Sequence, residues 1–313
     1  MKSFVFGGFK ENMSSIEETE DKVIFKEGDS SCEILKYGAT VISWKLKGQE
    51  QLWLSSAAKL DGSKPVRGGI PLVFPIFGKS QDPSHPTFEL PQHGFVRNSY
   101  WDFLGKTSSN PPTIQFGLGP ENVQPDLLQK WGQGKYDFTL LLSISLNQDK
   151  LVTIIEIQNS GKLQFDFNWL FHTYYNIPDI TEVMVSNLVD QHVNDKIIKS
   201  TYTEKSPVIQ FHEELDRVYE KIDEDKQLQL LYQGKVLFNL FRHNLPDVVV
   251  WNPWINKSQS MADFEPKSGY QNMVCVEPGH VSDFITLKSG QSWTASQTIS
   301  TGGEIKIQSN IFQ

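Results

Sequence analysis

The segment Leu163-Gln-Phe-Asp-Phe-Asn-Trp-Leu-Phe-His-Thr-Tyr174 decides the fold class of this chain. Apolar side chains occupy its odd positions up to Phe171, whereas its even positions include Asp166, Asn168 and His172. Successive side chains of a β-strand point to opposite faces, so this alternation predicts a strand with one face in a core. The other face is polar and carries His172. Such a face suits a sugar, which needs both ring contacts and hydrogen-bond partners.

Short β-type runs recur along the rest of the chain. Thr139–Leu146 and Leu151–Gln158 flank a turn at residues 147–150, which predicts a hairpin. Further runs rich in apolar and β-branched residues are Ala39–Leu46, Val236–Phe241, Val248–Trp251, Met273–Glu277, Phe284–Lys288 and Ser292–Ile299. Helical signals are confined to Glu121–Trp131 and, more weakly, Asp223–Leu231. The chain is therefore predicted to be all-β, mostly antiparallel, with a few short helices.

The domain organisation is predicted to be simple. Neither an internal repeat nor a Pro/Ser-rich linker divides the 313 residues, and all-β sandwiches can reach this length as one unit. We expect residues 21–313 to form a single domain and residues 1–20 to form a loose extension. The first residues lack the apolar centre of a secretory signal, and no stretch approaches the roughly 18 apolar residues of a membrane span.

Composition limits the classes of ligand and compartment. A net charge of −8 argues against nucleic acid as a partner, although a few local arginines can still bind one small anion. Cys32 and Cys275 are too few for a secreted disulfide framework, so we expect free thiols, a cytoplasmic protein and no membrane partner. The seven histidines lack zinc-site spacing, and there is no dinucleotide motif. We therefore predict no metal and no cofactor.

A second strand places a carboxylate next to a turn signal. Met273, Cys275 and Glu277 share one face of the run that begins at Met273. The dipeptide Pro278-Gly279 is predicted to end this strand. Because an unpaired buried charge is costly, a carboxylate at the end of a buried strand is either paired or functional.

Two glycine-containing loops hold polar side chains. In Val66–Pro75, Arg67 precedes two glycines, so the segment is either a tight turn or a close approach to a ligand with Arg67 aimed at it. The second loop, Leu90–Asn98, carries the hydrogen-bonding side chains Gln92, His93 and Arg97. Its flanking aromatic residues indicate a packed loop, which favours a binding site over a solvated surface.

Six motifs in order resemble the glucose-6-phosphate 1-epimerases of the aldose 1-epimerase (galactose mutarotase-like) superfamily. They are Arg67-Gly-Gly-Ile-Pro-Leu-Val-Phe-Pro75, Gln92-His-Gly-Phe-Val-Arg-Asn98, Phe171-His-Thr-Tyr-Tyr175, Trp251-Asn-Pro-Trp254, Met261-Ala-Asp263 and Met273-Val-Cys-Val-Glu-Pro-Gly279. The resemblance extends from about Val23 to about Ile307. It implies a β-supersandwich with its site in a cleft on the concave face, and it favours a monomer.

By this resemblance, His172 is the general acid and Glu277 the general base. Anomerisation requires a base to take the proton of the C1 hydroxyl and an acid to protonate the ring oxygen, so that the ring opens and recloses on the other face. We therefore predict interconversion of the α and β anomers of D-glucose 6-phosphate and related hexose 6-phosphates. Glu277 is expected to be ionised and His172 protonated.

The resemblance also implies substrate contacts. Arg67 and Arg97 would hold the phosphate, whose oxygens match the guanidinium fork. Gln92 would contact the ligand. Asp216 would bind a sugar hydroxyl, although its charged stretch equally fits a solvated face. His93 lies where relatives that act on free sugars have a histidine contact.

Two alternative functions stay open. In a mutarotase for free aldoses, Arg67 and Arg97 would form structural ion pairs, and substrate preference separates this alternative from the first. A non-catalytic carbohydrate-binding sandwich would keep the cleft without the chemistry. Such a protein has no use for an acid and a base like His172 and Glu277.

Overall fold

The computed structural model describes residues 14–147 and 149–302. Its strands are β1 (Ser15–Glu18), β2 (Lys22–Glu27), β3 (Ser30–Leu35), β4 (Val41–Leu46), β5 (Gln49–Glu50), β6 (Leu72–Val73), β7 (Asp102–Ser109), β8 (Pro112–Leu118), β9 (Thr139–Leu146), β10 (Lys150–Gln158), β11 (Phe165–Phe171), β12 (Tyr174–Asn176), β13 (Val183–Ser186), β14 (His192–Asp195), β15 (Ser200–Thr203), β16 (Val208–Ile209), β17 (Leu215–Glu220), β18 (Leu228–Tyr232), β19 (Lys235–His243), β20 (Asp247–Asn252), β21 (Met273–Leu287) and β22 (Ser292–Thr301). The α-helices are α1 (Pro125–Lys130) and α2 (Trp254–Ser260), and 3₁₀ turns cover Val96–Asn98, Pro120–Asn122, Gly132–Gly134, Ile180–Glu182 and Lys267–Asn272. The predicted class, mostly antiparallel β with short helices, is confirmed.

The strands form three sheets. One contains β1 to β5 in chain order. The second has nine strands in the order β16-β13-β18-β19-β22-β10-β9-β8-β7. The third has the order β15-β14-β17-β20-β21-β11-β6, with β12 also paired to β21. We call this third sheet the site sheet, because one of its faces forms the floor of the cavity described below.

A contiguous apolar core joins the three sheets. Phe25 of the first sheet, Ile144 and Ile299 of the second, and Phe167 and Val250 of the site sheet all belong to it. These residues lie on single faces of their strands, as the period of two requires. The site sheet therefore packs one face against the core.

Strand β20 shows how the two faces of the site sheet differ. Val248 and Val250 lie in the main core, whereas Val249 and Trp251 pack together on the other side of the sheet, in a cluster separate from that core. The same alternation holds in β21, where Val276 is a core residue. The face opposite the core is thus free to carry functional side chains.

The predicted hairpin is confirmed, but one predicted helix is wrong. Strands β9 and β10 pair directly through the expected turn, with Leu146 opposite Leu151. Asp223–Leu231 was the weaker helical candidate, yet its end lies in β18. Leu228 and Leu230 are both fully buried there, so the period of two outweighs the helical signal.

The dipeptide Pro278-Gly279 does not end a strand. Strand β21 continues through it to Leu287, so the run predicted separately at Phe284–Lys288 forms the end of the same strand. Pairing with β20 and β11 persists across the dipeptide. A Cβ on Gly279 would lie 2.8 Å from the carbonyl oxygen of Trp169. The glycine therefore serves the close approach of β11 rather than a turn.

Strand β11 differs from the predicted segment at both ends. Leu163 precedes the strand and is 47% exposed, so it does not belong to the core face. On the supposedly polar face, Asn168 and Leu170 are buried. Only His172, just beyond the strand, reaches the cavity from this segment. The second face is therefore only partly polar, and neighbouring loops cover it.

The N-terminal boundary also differs from the expectation. Residues 1–13, most of the predicted extension, lie outside the described residues, as do residues 303–313. Strand β1, however, pairs along its length with β2, with Ile16 opposite Phe25. The boundary at residue 20 thus falls in the turn between two paired strands. The single-domain assignment stays a prediction.

Two expectations from composition can be compared with the structure. Cys32 and Cys275 are both buried and unpaired, as predicted. Among the described residues, no helix is long and apolar enough to cross a bilayer.

Candidate active site

An open cavity of about 470 Å³ lies over the free face of the site sheet. Its floor is formed by Asp216 of β17, Val249 and Trp251 of β20, Glu277 of β21, and His172 after β11. Its walls are formed by Arg67, Phe77, Gly78, Gln92, His93, Arg97, Lys196, Lys257 and Met261. All seven residues predicted for the site line this one cavity.

A break in strand pairing brings His172 and Glu277 together. Strand β11 pairs with β21 as far as Leu170, and β12 resumes the pairing at Tyr174. His172 lies in the gap, where its backbone N–H donates to the carbonyl of Pro71 at 2.9 Å. Adjacent strands are about 4.8 Å apart, so the side chain faces its neighbour on β21. His172 Nδ1 lies 3.3 Å from Glu277 Oε1.

Aromatic packing fixes the imidazole ring. His172 stacks on Tyr174, with ring centroids 4.7 Å apart and planes inclined by 10°. Trp251 approaches it edge-on at 6.1 Å, and His93 at 6.0 Å. Nδ1 is buried and has no well-aligned hydrogen bond in the described chain. The orientation of the imidazole therefore depends mainly on these rings.

Burial disfavours charge on both members of the pair. It lowers the pKa of His172 well below its usual value, and the neighbouring His93 and Arg97 act in the same direction. Burial also raises the pKa of Glu277 well above its usual value, with a further contribution from Asp216. These surroundings thus favour a neutral imidazole and a protonated carboxyl. This differs from the predicted ionised Glu277 and protonated His172, because neither charge is solvated.

Arg67 is held by two partners. Its Nε and Nη2 donate to Asp263 Oδ2 at 3.3 and 3.1 Å, and Nη1 donates to the hydroxyl of Tyr174 at 3.2 Å. Nearby, a Cβ on Gly69 would lie only 2.1 Å from the carbonyl oxygen of Val41. The glycines after Arg67 therefore allow close backbone packing. Arg67 also lines the cavity, and its contact with a ligand stays a prediction.

Arg97 is less well paired. Gly94 has a φ of +69° and sits so close to the carbonyl of Phe74 that a Cβ would lie 2.1 Å from it, which holds the loop against the end of β6. Arg97 Nη2 donates to the carbonyl of Gln92 at 2.9 Å, whereas its buried Nε has no partner. Burial lowers the pKa of Arg97 to about 10, so it stays protonated at neutral pH. Within the described residues no carboxylate pairs with this cation.

His93 and Gln92 form the adjacent wall. His93 Nδ1 accepts from the N–H of Gly78 at 3.1 Å, so a neutral ring carries its proton on Nε2. Burial and the nearby Arg97 lower the pKa of His93 to about 3. Its Nε2 lies 3.3 Å from the amide of Gln92. This contact becomes a hydrogen bond when the amide presents its oxygen, which turns the amide nitrogen toward the cavity.

Asp216 is a cavity residue rather than part of a solvated face. It lies on β17, and burial raises its pKa to about 6, although Lys196 and Lys257 oppose this shift. The two lysines are exposed at the mouth, and neither forms an ion pair with another described residue. Sequence analysis missed both, because no local motif marks them. They reach the cavity only through the turn after β14 and through α2.

The cavity carries uncompensated positive charge. Its basic side chains are Arg67, Arg97, Lys196 and Lys257. Two carboxylates oppose them, Asp216 on the floor and Asp263 in its ion pair with Arg67. With Glu277 protonated, two positive charges are left. This excess stands out in a chain whose net charge is −8.

A potential metal-ligand group includes the pair. Ligand atoms of His172, Cys275 and Glu277 lie within 4.8 Å of one another. Burial raises the pKa of the Cys275 thiol well above its usual value, which disfavours the thiolate that would bind an ion. Cys275 also packs in an apolar cluster with Tyr174. These residues fit a metal poorly, and the predicted absence of a metal stays a prediction.

Comparison with known proteins identifies the family. Residues 21–300 match the family described as Aldose 1-epimerase. The chain belongs to the aldose 1-epimerase family. A protein of Cenchrus ciliaris named "Putative glucose-6-phosphate 1-epimerase" is 34% identical to this chain over 284 residues, which is 87% of this chain and 82% of that protein. An Escherichia coli K12 protein of the same name is 32% identical over 248 residues, 79% of this chain and 78% of that protein.

Solved structures agree with this family. A Salmonella typhimurium protein described as a "putative mutarotase" superposes on this chain with a TM-score of 0.77 and 25% identity, covering 93% of this chain and 94% of that one. A protein of Synechocystis shares the fold, with a TM-score of 0.73 and 18% identity over 97% and 100% of the two chains. The predicted galactose mutarotase-like fold is confirmed. Family membership supports a carbohydrate substrate and an isomerase that interconverts anomers.

Proposed function

We propose that this member of the aldose 1-epimerase family interconverts the α and β anomers of D-glucose 6-phosphate and related hexose 6-phosphates. The observation that carries the proposal is Arg97, a protonated guanidinium on the cavity wall that pairs with no carboxylate of the described chain. A guanidinium fork fits phosphate oxygens, which accept two parallel hydrogen bonds. The names of the sequence relatives agree with this substrate class.

Charge balance supports a phosphorylated substrate. A phosphate monoester carries about −1.5 to −2 charges at neutral pH, and two positive charges are uncompensated in the cavity. A free hexose would leave these two positive charges uncompensated. Arg67 alone does not discriminate, because its ion pair with Asp263 also fits the alternative of a structural role. The argument for the phosphate therefore depends on Arg97, assisted by Lys196 and Lys257 at the mouth.

The chemistry we propose uses the buried pair. Glu277 takes the proton of the C1 hydroxyl while His172 protonates the ring oxygen, so the bond between C1 and that oxygen breaks and an aldehyde forms. Rotation about C1–C2 and the reverse proton transfers close the ring on its other face. The pair reaches its charged form when one proton moves from Glu277 to His172 over the 3.3 Å separating Oε1 and Nδ1. Each positioned group typically contributes about 10²–10⁴-fold.

The remaining cavity residues suit the sugar itself. Asp216, on the floor, can accept a hydrogen bond from a ring hydroxyl, whereas the Nε2–H of neutral His93 is engaged by the amide of Gln92. Gln92 offers an amide to either kind of partner. Trp251 presents an aromatic surface to which sequence analysis assigned no role. These groups would orient C1 over the acid and the base.

Exchange NMR of the anomers tests the proposal. Wild-type protein should accelerate the exchange of glucose 6-phosphate more than that of glucose or galactose, and His172→Asn and Glu277→Gln should abolish the acceleration. Equal catalytic efficiency on phosphorylated and free sugars would instead support the free-aldose mutarotase. Binding of the sugars without any acceleration would support a binding module on the fold of an enzyme.

A further inference from the structure

Tyr174 lies between the phosphate-binding wall and the acid. Its ring stacks on His172 at 4.7 Å with an interplanar angle of 10°. Its hydroxyl accepts a hydrogen bond from Arg67 Nη1 at 3.2 Å. One side chain thus touches a proposed catalytic group and a proposed phosphate ligand at once. The sequence motif reveals neither contact. Tyr174 does not itself line the cavity.

The surroundings of Tyr174 leave it little freedom. The side chain is 1% exposed, stacks on Trp53 at 6.0 Å, and meets the edge of Trp251 at 5.9 Å. Its backbone N–H donates to the carbonyl of Gly69 at 2.9 Å, and the residue pairs with Cys275 of β21. A side chain packed in this way keeps its rotamer. It can therefore set the positions of the groups that rest on it.

We propose that Tyr174 is a positioning residue that holds His172 with its ring and Arg67 with its hydroxyl, and so determines specificity for phosphorylated sugars. The inference rests on the proposed function and extends it, because it takes Arg67, beside Arg97, as a second phosphate ligand. Asp263 holds Arg67 from one side only, through Nε and Nη2. The phenol oxygen fixes Nη1, and with it the plane of the fork that the phosphate meets.

The two contacts can be separated by substitution. Tyr174→Phe keeps the ring against His172 but removes the acceptor of Arg67. We expect the KM for glucose 6-phosphate to rise about five- to tenfold, the value of one hydrogen bond, with kcat nearly unchanged. Tyr174→Leu removes the ring as well. We expect kcat to fall for every sugar that the enzyme accepts, because misplacement by about 1 Å can cost about 10²-fold.

The neighbouring residue provides a matched control. Tyr175 is as buried as Tyr174 but points to the opposite face of β12, where it packs against Phe238 in the core. Its hydroxyl has no hydrogen-bond partner in the described chain. Tyr175→Phe should therefore leave KM and kcat unchanged. Thermal unfolding of the three variants separates loss of folding from loss of positioning.

Three results would overturn the inference. The first is a KM change in Tyr174→Phe no larger than that in Tyr175→Phe. The second is an equal effect of Tyr174→Phe on phosphorylated and free sugars. The third is independent of activity: the imidazole NMR signals of His172 should shift or broaden in Tyr174→Leu and stay unchanged in Tyr174→Phe, and the opposite pattern refutes the role of the ring. A wild-type enzyme without preference for phosphorylated sugars would overturn the proposed function itself. The NMR comparison of Tyr174→Leu with Tyr174→Phe would still test whether the ring of Tyr174 positions His172.

Discussion

Replacing Arg97 by methionine should separate phosphate recognition from anomerisation. Methionine keeps much of the apolar stem and removes the guanidinium. That guanidinium donates to one backbone carbonyl, that of Gln92, and its Nε is buried without a hydrogen-bond partner among the described residues. The folded protein therefore loses little when the group is removed, and we expect the unfolding temperature of Arg97→Met to stay close to that of the wild type.

The expected loss of activity follows from the number of hydrogen bonds. A fork engages a phosphate through two charge-assisted bonds, each contributing roughly 1.5–3 kcal/mol. Removing both costs about 3–6 kcal/mol of transition-state binding, which corresponds to a decrease of about 10²–10⁴-fold in kcat/KM for glucose 6-phosphate. Arg97→Lys keeps the charge and loses the fork, so its kcat/KM should lie between those of Arg97→Met and the wild type.

The assay is anomer exchange measured by NMR on glucose 6-phosphate and on glucose, with each variant at matched concentration. Arg97→Met should lose activity toward the phosphorylated sugar and keep whatever activity the wild type has toward glucose. Equal losses on both sugars would refute the reasoning, because they would mean that Arg97 supports the structure of the site rather than the phosphate. So would an unchanged kcat/KM for glucose 6-phosphate.

Three further predictions concern charge and burial. Asp216→Asn should raise the unfolding temperature at pH 8 and not at pH 4, because burial raises the pKa of Asp216 to about 6, so ionisation above that pH destabilises the folded state; a larger gain at pH 4 would contradict this sign. Asp247→Ala should lower the free energy of unfolding in urea by about 3 kcal/mol, because the fully buried carboxylate accepts from the backbone N–H groups of Lys221, Val281 and Ser282; the control is alanine at the half-buried Asp166, which accepts a hydrogen bond from the side chain of Thr286. Inorganic phosphate should accelerate the anomerisation of free glucose by occupying the site of the sugar phosphate, and inhibition of glucose turnover at every phosphate concentration would argue against it.

Most of the architecture follows from local alternation of apolar and polar residues. The period of two identifies β9, β10, β20 and β22, because each of these strands has one face in the core. Strand ends were harder to predict, since they depend on neighbours distant in sequence. Gly279 is read locally as a turn residue, yet its lack of a side chain serves the backbone of β11. The sequence shows the glycine, but it does not show that β11 packs against this glycine in the fold.

The site residues also fall into two groups, those that local sequence patterns indicate and those that they do not. Sequence motifs supplied Arg67, Gln92, His93, His172 and Glu277, because each lies beside a glycine, a proline or an aromatic residue that marks its loop or strand. Arg97 follows from the same loop as His93, and Asp216 follows only from the family resemblance. Lys196 and Lys257 have no such neighbours in a recognisable pattern. Their place at the mouth depends on how the turn after β14 and the helix α2 fold over the site sheet. A lone lysine in a sequence gives no sign of this.

The protonation states of His172 and Glu277 could not be predicted from residue types, because they depend on burial in the folded protein. Glu277 is 2% exposed, and burial favours the uncharged state of both members of its pair with His172. The positive charge of Arg97 further disfavours a protonated imidazole. The same charge lowers the pKa of Glu277. A bound phosphate dianion that offsets Arg97 would therefore raise the pKa of both groups, which favours a protonated His172 but opposes loss of the proton from Glu277. Because the two effects oppose each other in the proton transfer, we expect the phosphate to act mainly through binding, and specificity for the phosphorylated sugar to be expressed in KM more than in kcat.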